Sequence, residues 1–130
     1  MIEDLLNRAR RAAQSARILL SAGDVNGAVN RAYYAMFYAA HAALEHQGVA
    51  IASSKHGILV GRFGEHLVKT GLLPRTLGTS LNATLELRQR ADYSSAEVAL
   101  VDVEHSLTDA EAFIAAVERL ARGQEKSPTA

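Results

Sequence analysis

The sequence predicts an all-α domain, an up-and-down antiparallel bundle of about five helices. Three observations carry that expectation. Hydrophobic residues make up 48% of the 130, with aromatics only 5%, so alanine and leucine supply much of the apolar content. These side chains lose little on entering a helix. Apolar positions recur at three- and four-residue spacing, with no strand-like alternation. The breaks between periodic stretches are short and hold helix stop and start residues, which implies antiparallel neighbours.

The elements follow in order. Residues 2–22 place Ile2, Leu5, Leu6, Ala9, Ala13, Ala16 and Leu20 on one stripe, with Arg8, Arg10, Arg11 and Arg17 elsewhere. Gly23 ends this helix and Asp24 is a good N-cap for the next, which runs to about Gln47 and stops at Gly48. A short apolar connector, Val49-Ala-Ile-Ala52, leads to Ser53 and Ser54, either of which can cap a third helix reaching about Thr70. Inside it, Gly61 and Gly64 either permit close packing or loosen the helix. Gly71 closes it, and Pro74 suits the first turn of a fourth helix that ends near Ala91-Asp92-Tyr93. Ser94 or Ser95 then caps a long fifth helix, with Glu97 in its dipole-favoured first turn. That helix shows two apolar stripes. One holds Leu100, Val103, Leu107 and Ile114, the other Val98, Val101, Ala112 and Ala116, so it is either central in the bundle or shared with a partner. Residues 1–122 are expected to form the bundle and 123–130, polar and holding Pro128, a frayed tail.

Composition bounds the function. No cysteine is present, which excludes disulfides and thiolate metal sites and makes a reducing compartment the default. The N-terminus lacks the basic-then-apolar order of a signal peptide, and no apolar run approaches the ~18 residues that span a bilayer. A cytoplasmic location away from membranes is expected. Net charge is zero, yet residues 1–93 hold eleven Lys/Arg against seven Asp/Glu, and residues 94–130 hold three against seven. A basic body with an acidic last helix is either self-complementary or leaves a basic face for a polyanion. There is no glycine-rich phosphate loop, zinc-ligand spacing or nucleophile elbow, so no metal and no cofactor are expected.

Several clusters could carry chemistry. At about 100° per residue, Arg31, Tyr34, Tyr38, His41 and Glu45 share one ~80° arc of the second helix. Val29, Tyr33, Met36, Phe37, Ala40 and Leu44 occupy the opposite side and are expected in the core. A cation, two phenols, an imidazole and a carboxylate in a row suit a groove that stacks on bases and holds phosphates. The plainer alternative is an amphipathic helix whose tyrosines bury their rings and hydrate their hydroxyls, and periodicity alone favours it. On the third helix Lys55, Arg62, His66 and Lys69 share a face, either an ordinary solvated one or a guanidinium–imidazole pair suited to phosphodiester chemistry. His56 points toward Val60, Phe63 and Leu67 and reads as a packed histidine. Arg88 continues the stripe of Leu77, Leu81 and Thr84, so it needs a partner, and Asp92 one turn later is the nearest. His105 sits in an apolar stripe and is expected as a satisfied core residue.

Four blocks, in order, resemble the HEPN family over roughly residues 3–121. They are Arg31-Ala-Tyr-Tyr-Ala-Met-Phe-Tyr38, Ser54-Lys-His56, Phe63-Gly-Glu-His-Leu-Val-Lys-Thr-Gly-Leu-Leu73 and Leu87-Arg-Gln-Arg-Ala-Asp-Tyr93. The resemblance implies a helical bundle that commonly forms a homodimer, with a functional cleft between the copies. It also implies a partner, often a minimal nucleotidyltransferase, in toxin–antitoxin or defence pairs. Many such proteins are metal-independent endoribonucleases; others bind nucleotides or assist a nucleotidyltransferase. Ribonuclease members carry arginine followed after four to six residues by histidine. Here three residues separate Arg62 from His66 and nine separate Arg31 from His41. The expectation is therefore nucleotide or RNA binding, with Arg31, Tyr34, Tyr38, His41, Lys55, His56, Arg62, His66, Arg88, Asp92 and Tyr93 as candidates. The alternatives are a ribonuclease toxin with an improvised set from Arg31, Tyr34, Lys55, His56 and Arg88, and a non-catalytic interaction module.

Overall fold

The computed structural model describes residues 2–51, 55–93 and 98–123. The caps expected at Ser53, Ser54, Ser94 and Ser95, the place of Glu97 and the tail from Gln124 lie outside those residues. Among the described residues there are five α-helices: α1 (Ile2–Ser21), α2 (Val25–His46), α3 (His56–Phe63), α4 (Arg75–Tyr93) and α5 (Leu100–Ala121). Among the described residues there is no strand. The all-α bundle that the apolar spacing predicted is what forms.

The helix ends follow local chemistry. Gly23, Gly48 and Gly71 take φ of +87°, +75° and +81°, a left-handed conformation that costs a side chain energy and glycine little. The Asp24 carboxylate accepts from the Gly27 N–H at 2.9 Å and caps α2. The third helix does not run as one α-helix to Thr70. After Phe63 it widens into a π-helical turn over Gly64–Val68, which Lys69 N–H closes onto the Gly64 carbonyl at 2.9 Å. A Cβ on Gly61 or Gly64 would meet nothing within 4 Å, so neither glycine serves close packing. Phe63, just before the wide turn, and Leu67, within it, are both fully buried.

α2 is the central helix, in contact with each of the others. Its alanines make that possible: Ala28, Ala32, Ala35, Ala39, Ala40, Ala42 and Ala43 are all buried, and they let neighbouring backbones come close. The larger core side chains, among them Met36, Leu44, Leu81 and Leu107, fill the space between α2 and its neighbours. Phe63 stacks on Phe113 at 5.2 Å between ring centroids, which ties α3 to α5.

Three expectations are corrected here. α2 rather than α5 is central, which removes one of the two alternatives for α5. α5 starts at Leu100, after Ala99 in an extended conformation, and it buries one face built on Val103, Ser106, Leu107, Ala110, Phe113, Ile114 and Val117. Its second stripe breaks up, with Val98 buried but Val101 67% exposed, and the first stripe loses its leading residue, Leu100, which is 53% exposed. His105 is not a core residue. Its side chain is 78% exposed, with Nε2 3.3 Å from Asp109 Oδ2. The face is set by small residues such as Ser106 and Ala110, whose burial polarity does not announce. Phe37, expected in the core, is only partly buried and lines a cavity. No helix among the described residues is long and apolar enough to cross a membrane.

Candidate functional site

The polar row of α2 does not stand alone; it forms one wall of a cavity of about 490 Å³. From α2 the cavity takes Tyr34, Phe37, Tyr38 and His41, and from α3 it takes His56 and Leu59. α1 contributes Asp4, Leu5 and Arg8, and Ile51 closes it from the connector. The volume falls in the usual range for small-molecule sites, and most of the wall is aromatic or aliphatic.

The centre of the site is an aromatic cluster around His56. As the first residue of α3, His56 projects back from its own helix onto α2. Its ring stacks on Phe37 at 4.5 Å and on Tyr33 at 5.3 Å, and meets Tyr34 edge-on at 5.6 Å. It packs, as expected of it, but on α2 rather than toward Val60, Phe63 and Leu67. The Tyr33 hydroxyl lies 2.7 Å from His56 Nδ1. Burial raises the Tyr33 hydroxyl's pKa well above the ordinary tyrosine range, so it keeps its proton. Burial, with the Arg88 charge second, pushes His56 below the ordinary histidine value, so the ring is neutral at physiological pH. A buried phenol proton needs an acceptor, and Nδ1 is the one within reach. Tyr33 therefore donates to Nδ1, and by that argument the ring's own proton sits on Nε2. Tyr33 was expected only as core, and sequence periodicity carries no sign of this role.

Two guanidinium groups flank the cluster. Arg31 lies 5.1 Å from the Tyr34 ring centroid, and Arg88 lies 5.2 Å from Tyr33 and 5.3 Å from Tyr34. Asn30 Oδ1 accepts from Arg31 Nε and Nη2 at 3.3 and 3.2 Å, which steers that side chain. Arg88 Nε is 3.4 Å from Asp92 Oδ2, the partner expected from the spacing. The same Nε is buried without a well-formed hydrogen bond. Tyr34 is thus a held wall rather than a free stacking platform, and Tyr38 and His41 carry that row onward. Tyr34 and Tyr38 centroids are 5.9 Å apart, and His41 Nε2 is 3.6 Å from Glu45.

The other candidates lie apart from the cavity. Lys55 is exposed at the N-cap of α3. Arg62 and Lys69 line a separate shallow groove with Gly61 and Asn82, and His66 is not among its lining residues. His66 pairs instead with Glu65 at 3.6 Å. Tyr93 is 84% exposed at the end of α4 and does not line the cavity. Conversely, Asp4 and Arg8 line it, although in sequence they read only as the polar side of an amphipathic helix. Among the described residues no group of three or more His, Asp or Glu is arranged to hold a metal ion.

Comparison with known proteins gives the fold and site a family context. A Thermotoga maritima relative, a UPF0332 protein, is 36% identical over 121 residues, covering 92% of this chain and 90% of its own length. A UPF0332 protein of Gloeobacter violaceus is 37% identical over 94 residues, covering 72% of this chain and 73% of its own. A Methanocaldococcus jannaschii protein with the name "Putative toxin MJ0605" is 28% identical over 118 residues, covering 91% of this chain and 87% of its own. The HEPN domain matches residues 2–120. With that match across nearly the whole bundle, the chain belongs to the HEPN domain family.

Proposed function

We propose that this chain is a toxin-like HEPN protein that binds a nucleotide or RNA in the cavity between α1, α2 and the start of α3. The observation that carries the reading is the wall itself, where the Tyr38, His41 and His56 rings face a common space with the Arg8 guanidinium. Nucleotides present flat π faces and phosphates, and rings beside a guanidinium meet both. The toxin-like part draws on the names of two Methanocaldococcus jannaschii relatives. A nucleotidyltransferase-like partner and a homodimer belong to the same proposal. They draw on the family, and the apolar surface left open by Leu100 and Val101 on α5 suits such a contact.

The hydrogen bonding of His56 favours binding over cleavage. With Nδ1 accepting from Tyr33, the neutral ring offers an N–H donor rather than the free nitrogen a general base needs. The second reading, a metal-independent ribonuclease, has in its favour an imidazole and Arg88 on the same aromatic cluster. The test is fluorescence anisotropy of the purified chain with a labelled single-stranded RNA. Wild type should bind saturably and less tightly as salt rises, and Tyr38→Ala with Arg8→Ala should weaken binding at least about fivefold. Binding that is absent in wild type, or equal in the double variant, overturns the site. RNA that is shortened without added metal, and spared by His56→Ala, replaces binding by the second reading.

A further inference from the structure

The cavity's two charged lining residues, Asp4 and Arg8, come from α1, where Arg10 and Arg17 are held in ion pairs and the exposed Arg11 lies outside the cavity. Arg10 bonds Glu118 and meets Glu3 at 3.3 Å, and Arg17 meets Glu111 at 2.9 Å. Asp4 and Arg8 are one turn apart, with the acid on the N-terminal side, the order that best supports an ion pair. Both are exposed, and neither pairs with the other or with any other described residue. The lining thus presents one acceptor-only carboxylate and one guanidinium with no partner among the described residues, beside rings and aliphatic side chains. On α3, His56 adds an N–H donor whose orientation the Tyr33 hydroxyl fixes.

We infer that the cavity takes a single guanine nucleotide, with the Asp4 carboxylate accepting from the base's N1–H and N2–H groups and Arg8 meeting its phosphate. This rests on the nucleotide reading above and narrows it. Guanine offers two parallel donors on one edge, which the two oxygens of a carboxylate match. Adenine places a bare acceptor nitrogen at that position, where it would face carboxylate lone pairs. Uracil offers one donor and cytosine an acceptor beside one donor. Guanine also carries two acceptors, O6 and N7, on its other edge, complementary to the His56 N–H, whereas adenine puts an amino group in place of O6. The discrimination therefore comes from polar groups left unmatched by the wrong base, the mechanism that separates close analogues most strongly.

Isothermal titration of the full chain with GMP, AMP and UMP tests this. GMP should bind at least about tenfold more tightly than AMP. Asp4→Asn exchanges one acceptor for a donor at an exposed side chain in the first turn of α1, and should lower the melting temperature by no more than about 5 °C. In that variant the GMP affinity should fall at least about tenfold while AMP is unaffected or gains. Equal binding of all three nucleotides overturns the guanine inference and leaves the nucleotide reading intact. A GMP preference that survives Asp4→Asn overturns the role of Asp4. Failure of all three, together with the labelled RNA, to bind wild type removes both the inference and the reading beneath it.

Discussion

Replacing Tyr33 by phenylalanine isolates the hydrogen bond at the centre of the site. The ring stays, so its packing against Phe37 at 6.0 Å and beneath the Arg88 guanidinium at 5.2 Å is kept. Only the hydroxyl that donates to His56 Nδ1 at 2.7 Å is lost. A neutral hydrogen bond contributes about 1 kcal/mol net, and an acceptor stranded away from water adds up to about 3. His56 is only partly buried and water can reach its ring, so the cost falls near the lower end, about 1–1.5 kcal/mol. For a chain of this size that lowers Tm by about 3–7 °C. The pH dependence supplies a second, independent sign. Folded His56 sits below its ordinary value, so the unfolded chain takes up a proton near pH ~6.5 that the folded protein refuses. This contribution to stability is complete above the unfolded value and is lost as pH falls toward the folded one. Removing the donor takes away support for the neutral ring and raises the folded value, so Tyr33→Phe loses less stability on acidification. Calorimetry at about pH 7.5 and about pH 5.5 should therefore find a gap between wild type and variant that narrows in acid. A Tm unchanged at the higher pH, or a gap that widens in acid, refutes the reasoning.

Two further outcomes follow from the packing. Phe63→Ala removes a fully buried ring stacked on Phe113 and should cost about 3–5 kcal/mol, lowering the urea midpoint. A loss under about 1 kcal/mol would contradict the α3–α5 contact. Arg17→Ala breaks a two-pronged pair with Glu111 at 3.0 and 2.9 Å, yet both side chains are nearly half exposed, so the cost should stay below about 1 kcal/mol. A Tm drop of more than about 5 °C would show that this pair holds α1 to α5 far more strongly than its exposure allows.

Where the chemistry is local, the sequence was readable. Asp24 caps α2, the glycines after α1 and α2 take positive φ, and Arg88 finds Asp92 one turn on, because each depends on neighbours a few residues away. The polar row from Tyr34 through Tyr38 to His41 was also legible, since α2 is regular and periodicity maps directly onto its surface. Burial that is decided by packing rather than polarity left no mark in the sequence. His105 faces outward, while Ser106 is buried, because small residues let α5 approach its neighbours. Arg62 lines a groove with Lys69 and Asn82 that His66 does not line, a grouping set by how α3 and α4 pack rather than by helical spacing.

The family blocks and apolar periodicity in the sequence determined the all-α class and the HEPN membership, because both reside in residue order. Tertiary structure alone decided the site. It brought His56 from α3 onto Tyr33 and Phe37 of α2, and carried Asp4 and Arg8 from the first turns of α1 to the same cavity. No local rule links residues that far apart along the chain. Their meeting is fixed by the alanine-rich α2, whose small side chains let α1 and α3 settle close enough to share one cavity.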